Sequence, residues 1–440
     1  MRQEQTEPSG KSIGAGINFM PPETGQRRIV GGMILATEKA LLAKAMQAIG
    51  NPPLQVVLWD GQEIMNHPGH PAASLLIRDR GALLKLVADA ELYFGELYSA
   101  QRIEVRGDLL EFLEVVYRSW PLAGQGGIGK KLFSPLLDAR RNTLSGSRRN
   151  IHHHYDIGND FYRLWLDERM VYTCAYFPDR DTSLEDAQFA KLDHVCRKLR
   201  LQPGDKVVEA GCGWGALALH MARHYGVKVA AYNISTEQIA YARERARAEG
   251  LAGQVEFIED DYRNVRGEYD AFVSVGMLEH VGTDHYRELG AVIDRSLKGN
   301  GRGLIHSIGL NFPRPMDAWT ERHIFPGASP PSLAQMMQIF EPFDFSVIDV
   351  ENLRLHYART LEHWLQRYEA NVGRVEKMFD EEFVRAWRLY LAGSHVAFKM
   401  GGMQLFQVTF NRASDERIPW TRQYLYESQQ NFRGEGYGNM

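Results

Sequence analysis

The sequence predicts an α/β protein whose main body is a seven-stranded, mostly parallel sheet covered by helices on both faces. A smaller α+β domain precedes it. Three observations lead there. From about residue 200, short apolar strand patterns alternate with helical ones. A glycine-rich turn follows the first of those strands. Ahead of them, residues 31–122 mix short alternating segments with helical periodicity. A chain of 440 residues also suits two domains better than one core.

Taken in order, residues 1–30 are rich in Gly, Pro, Gln and Glu without periodicity and are expected to form a disordered tail. Residues 34–49 place Leu35, Leu41, Leu42, Ala45 and Met46 at helical spacing. Strand patterns at 54–59 and 74–78 flank the turn signal Asp60-Gly61, and helical stretches follow at 81–87 and 109–120. Residues 123–149 are expected to be a flexible basic linker. It opens with AGQGGIG and carries Lys130-Lys131, Arg140-Arg141 and Arg148-Arg149. Basic pairs alternating with Leu132, Phe133, Leu136 and Leu137 suit an anionic membrane surface, and equally a solvated helix face. The larger domain is expected over 150–412, with strands at 206–209, 228–232, 255–258, 270–275, 303–308, 345–350 and 405–410. Residues 413–440 are read as a C-terminal tail.

Bulk properties narrow the function. A formal charge of −4 argues against a dedicated nucleic-acid binder. The three cysteines show no CxxC spacing, and with no secretory leader they suit a reducing cytoplasm. No run of 18 apolar residues is present, so no segment is expected to span a bilayer.

The sharpest local signal is VVEAGCGWGA at residues 207–216: an apolar strand ending in Glu209, then Gly211, Gly213 and Gly215 opening a helix. Glycines permit a tight turn and close approach of backbone to ligand. A dinucleotide site would want an acid at the next strand tip, about 20 residues on. That tip reads Tyr232-Asn-Ile-Ser-Thr-Glu-Gln238, polar but not acidic, and the third strand ends in Asp260-Asp261-Tyr262-Arg263. Together these features resemble Rossmann-like class I methyltransferases. The resemblance implies that Glu209, Gly211, Cys212, Gly213 and Gly215 line the methionine and ribose part of S-adenosylmethionine. It implies Asn233, Ser235 and Gln238 at the ribose, and Asp261 with Tyr262 at the adenine.

Upstream, residues 150–177 hold three adjacent histidines, His152, His153 and His154, and a dense aromatic set: Tyr155, Phe161, Tyr162, Trp165, Tyr172, Tyr176 and Phe177. Consecutive residues of a helix point in different directions, so the histidines cannot share one ion, and no metal is expected. HHYDIGNDFY, MVYTCAYF, EAGCGWG, MLEHVG, IHSIG and LHYARTLEHW, in this order, resemble the cyclopropane-fatty-acyl-phospholipid and mycolic acid cyclopropane synthases over residues 50–412. WDG, IRD and VRGDL resemble that family's N-terminal lipid-binding domain.

The chemistry explains the residue types. Methyl transfer to an alkene leaves a carbocation, which aromatic faces can stabilise by roughly 0.5–2 kcal/mol each when desolvated. Water must be kept out, and a base must then remove a proton so that a ring can close. The resemblance implies a bound bicarbonate as that base, with Cys174, Glu279, His306, Ile308 and Tyr357 around it. Glu279 would accept its O–H, His306 and Tyr357 would donate, and Cys174 and Ile308 would contribute backbone groups. The resemblance also implies that Tyr172 and Thr173 lie at the cofactor's methionine end. One departure is Ser394, where many relatives carry a cysteine. The Pro- and aromatic-rich stretch 311–326 is expected to be a lid over an acyl channel.

The reading is therefore a cyclopropane-fatty-acyl-phospholipid synthase, working at the inner face of a membrane on unsaturated acyl chains, with a homodimer suggested by the resemblance alone. Alternatives are an enzyme that stops at a methyl or methylene branch, a small-molecule N-methyltransferase, and a lipid-binding module with a vestigial catalytic domain.

Overall fold

The computed structural model describes residues 36–65, 71–119 and 157–426. The expected tail at 1–30, the basic linker and the histidine run all lie outside those residues. The described chain divides into two compact units, one holding 36–87 and 102–119 and the other 88–101 and 157–426.

The smaller unit is built on a four-stranded sheet in the order β2-β1-β3-β4, from β1 (Leu54–Val57), β2 (Glu63–Met65), β3 (Ala73–Ile77) and β4 (Ile103–Arg106). β1 and β3 are parallel and the outer pairs antiparallel. The expected Asp60-Gly61 turn joins β1 to β2: Gly61 takes φ 83 and Asp60 accepts the Gln62 N–H at 3.1 Å. Helices α1 (Ala36–Ala48), α2 (Arg80–Ala88) and α4 (Leu109–Ser119) fall where helical spacing predicted them. Asp108 caps α4 by accepting the Glu111 N–H at 3.1 Å. The sequence reading missed β2 and β4, which are three and four residues long and too short to show a period. It also missed α3 (Ala90–Ser99), which groups with the larger unit.

The larger unit is the expected seven-stranded sheet, in the order β10-β11-β9-β8-β5-β6-β7. Its strands are β5 (Lys206–Ala210), β6 (Lys228–Asn233), β7 (Val255–Glu259), β8 (Tyr269–Val275), β9 (Leu297–Gly309), β10 (Phe345–Asn352) and β11 (Gln404–Arg412). All seven coincide with predicted strands to within a few residues, except that β9 begins six residues early. The β7-β6-β5-β8-β9 run is parallel, and β11 lies antiparallel to both β9 and β10. Because strand order reverses between β5 and β8, their carboxyl ends leave a crevice there, which is where open α/β sheets bind ligands. Apolar clusters fill both faces of the sheet: Val207, Met221, Ile239 and Val273 on one, Val208, Phe272, Ile293 and Phe410 on the other. No helix of the described residues is long and apolar enough to cross a membrane.

Candidate active site

The crevice at the β5/β8 switch is a half-open pocket with a volume of about 150 Å³. Its glycine turn runs from β5 into helix α7 (Ala216–Tyr225; the intervening α5, Asn159–Tyr162, and α6, Leu184–Lys198, precede β5). Gly215 has φ 84, and a Cβ there would meet the Phe257 ring at 2.6 Å, so only glycine fits. A Cβ on Gly213 would meet nothing within 4 Å, because that residue faces open pocket. Trp214 Nε1 donates to Asn159 Oδ1 at 2.7 Å and so ties the turn to α5.

Every residue expected at the cofactor lines this pocket except Gly215 and Ser235. Gly215 instead lets the turn close against β7, and Ser235 caps the helix Thr236–Ala248. Asn233 Nδ2 donates to Gln238 Oε1 at 2.7 Å, holding the polar tip of β6 in place. Asp261 accepts the Arg263 N–H at 2.9 Å and so caps the short turn Tyr262–Asn264. Glu209 is buried; desolvation raises its carboxyl to about 8, against a smaller pull from Lys191, and its Oε2 has no partner. Lys191 was missed by the sequence reading. It lies on the buried stripe of α6 with Leu184, Ala187 and Val195, and a lysine at such a position was the available signal. Burial lowers its ammonium to about 8.

The residues expected around bicarbonate come from distant segments. Glu279 Oε1 accepts the Ile308 N–H at 2.5 Å, and His306 sits two residues before Ile308 on the same side of β9. That backbone N–H is therefore engaged by Glu279. Gln407 Nε2 pairs with His306 Nδ1 at 3.0 Å. Glu279 Oε2 and His306 Nε2 are both buried without a partner. Desolvation raises Glu279 to about 7 and pushes the His306 imidazole well below its ordinary value, so the ring is neutral. The Cys174 thiol contacts the carbonyls of Ala175 and Leu353, and burial drives its pKa far up, which suits no thiolate chemistry. Tyr357 lies one turn into helix α12 (Arg354–Ala370; α8 to α11 are Thr236–Ala248, Tyr286–Ser296, Ala318–His323 and Leu333–Phe340), its N–H bonded to the same Leu353 carbonyl. The two groups join through Gly276, whose N–H donates to the His306 carbonyl at 2.9 Å and whose α-carbon faces the Thr173 methyl.

An aromatic wall rises beside them. Tyr172, which lines the pocket, shares a 2.7 Å hydroxyl contact with Tyr390 and packs against Tyr162, Trp165 and Trp364 at centroid separations of 5.2–5.4 Å. The stretch expected as a lid carries α10, followed by Phe325, whose ring meets Tyr390 at 5.5 Å and the pocket residue His280 at 6.1 Å. Trp319 of α10 lies against Gly95 of α3, where any Cβ would strike its indole. Ser394 is half-buried on the helix Glu381–Lys399.

Sheet order, switch-point crevice and glycine turn define a class I, S-adenosylmethionine-dependent methyltransferase. Within that class the chain belongs to the mycolic acid cyclopropane synthetase family, which it matches over residues 143–408; residues 41–121 match a domain of unknown function. A probable fatty acid methyltransferase of Pseudomonas putida is 35% identical over 88% of this chain and 99% of its own length. A cyclopropane-fatty-acyl-phospholipid synthase of Escherichia coli K12 is 42% identical over 66% of this chain and 73% of its own. Among solved structures, the mycolic acid cyclopropane synthase CmaA1 with SAH and CTAB aligns with a TM-score of 0.57 at 30% identity, covering 60% of this chain and 98% of that one. The protein is thus an enzyme that uses S-adenosylmethionine to build a cyclopropane or a methyl branch on lipid acyl chains.

Proposed function

We propose that the protein is a cyclopropane-fatty-acyl-phospholipid synthase that closes the ring with bicarbonate as base, working peripherally on cytoplasm-facing membrane lipid with cis-unsaturated chains. The observation that carries the bicarbonate reading is the pair of orphaned polar atoms, Glu279 Oε2 and His306 Nε2, both buried. Leaving such atoms unpaired costs roughly 1–3 kcal/mol each, so their retention argues for a small polar guest. The donor set fits a bicarbonate: a carboxylate to take its O–H, and an imidazole N–H and the Tyr357 phenol to meet its oxygens. When bound, that ion would supply the proton acceptor for ring closure. The protein's own residues would hold it, exclude water and face the developing cation with the Tyr172, Trp364 and Tyr390 rings.

A second reading, transfer that ends at a methyl or methylene branch, is favoured by the near full-length match to a probable fatty acid methyltransferase. The two are separated by incubating the protein with methyl-labelled S-adenosylmethionine and unsaturated phospholipid vesicles, with and without bicarbonate, and analysing the acyl products by ring-sensitive mass spectrometry. A labelled cyclopropane whose yield requires bicarbonate is the expected result. A labelled branched chain moves the function to the second reading, and absence of transfer returns it to a lipid-binding role.

A further inference from the structure

A buried lysine is costly in a helix stripe that packs against a core, and apolar side chains are the default there. Lys191 is 2% exposed, and its Nζ donates to Thr173 Oγ1 at 2.9 Å. One turn earlier, Gln188 Nε2 donates to the Thr173 carbonyl, also at 2.9 Å. Both side chains of α6 therefore grip the same residue, from its side chain and its backbone. Thr173 is held on a third side too: its methyl lies where a Cβ on Gly276 would come within 2.9 Å.

An ammonium has three donors and no acceptor, so in this contact the threonine oxygen must accept. The threonine O–H is then left to donate, and among the described residues no acceptor takes it. Lys191, Thr173 and Glu209 all line the pocket. Its wall thus presents a forced donor at Thr173 and, at Glu209 Oε2, a buried carboxyl oxygen without a partner, which ionises and accepts once a cation pairs with it. A donor and an acceptor arm in one apolar cleft match the carboxylate and ammonium of an α-amino acid.

We propose that Lys191 is a positioning residue that orients the Thr173 hydroxyl to donate to the carboxylate of the cofactor's methionine end. This deepens the assignment of the pocket to S-adenosylmethionine and rests on it. The lysine acts through the threonine hydroxyl.

The test measures binding of S-adenosylhomocysteine and of its decarboxylated analogue to the full chain by calorimetry. In the wild type the carboxylated ligand binds more tightly. Lys191→Met and Thr173→Val should each shrink that preference about ten- to a hundredfold, the range for losing a hydrogen bond to a charged group. The double variant should lose no more than either alone, and Thr173→Ser should keep the preference. Affinity for the decarboxylated analogue should change less than about threefold, which also shows that the pocket is intact. An unchanged preference in Lys191→Met, equal weakening of both ligands, or a preference that survives Thr173→Val while Lys191→Met abolishes it would each overturn the proposal. Failure of the wild type to bind either ligand would instead overturn the cofactor assignment beneath it.

Discussion

The cofactor pocket and the Glu279/His306 cluster lie on adjoining parts of one sheet and are built in opposite ways. The pocket's polar tips are mostly tied to each other: Asn233 to Gln238, Asp261 to the Arg263 backbone, Thr173 to Lys191. Such a site is shaped before its ligand arrives. The cluster joins Glu279 to β9 and β9 to β11, and leaves two buried polar atoms unpaired. The difference teaches that binding and chemistry are separable here. The pocket is held mainly by hydrogen bonds among its own residues, with Glu209 Oε2 left unpaired, while the cluster leaves both Glu279 Oε2 and His306 Nε2 unpaired.

The largest expected effect breaks the two halves apart. Glu279→Gln should lower turnover by about a hundredfold or more, the scale of a lost acid–base group, while S-adenosylhomocysteine affinity stays within a few-fold. A parallel loss of both would erase the distinction.

Gly215→Ala attacks the other half. The added Cβ must adopt φ 84 against Phe257, so thermal unfolding should reveal a loss of about 1–3 kcal/mol, with weakened cofactor binding. A stable variant with normal affinity would show that the turn is less constrained than its geometry implies.

Acidity sharpens the comparison. Burial raises Glu279 to about 7, so turnover should climb as pH rises through about 7 and the carboxylate forms. Its linkage to stability runs the other way. A raised carboxyl favours the folded state below its unfolded value of 4.5, and that contribution is lost as pH rises through about 7. Glu279→Gln should therefore gain Tm over the wild type progressively from about pH 4.5 to 7 and hold the gain above it, read by differential scanning calorimetry. A gain that is flat across that range would refute the buried-carboxyl account.

The smallest effect concerns the covering segment. Phe325→Ala should raise KM for phospholipid vesicles a few-fold while leaving cofactor affinity unchanged, since its ring packs on Tyr390 and meets the pocket at His280. Equal changes in both would mean that the segment serves the cofactor instead.

Legibility followed sequence distance. The seven strands were readable because strands buried on both faces are short apolar runs separated by helices, as VVEA and AFVSV are. The glycine turn was readable because its residues are contiguous. By contrast α3 was not, since its burial pattern comes from packing against Trp319 and the helix Glu381–Lys399, both more than 200 residues away. Lys191 was likewise hidden: in sequence it is one charge among many, and only burial makes it conspicuous.

By itself the sequence determined the sheet, the glycine turn and the residue types at each strand end, because hydrophobic period and backbone conformation are local properties. Tertiary structure decided which of those residues meet. It spent the Ile308 N–H on Glu279, left Glu279 Oε2 and His306 Nε2 without partners, and put an ammonium behind Thr173. Those facts depend on desolvation and on distances between groups that lie 18 and 29 residues apart in the chain. Neither is encoded at any one position of the chain.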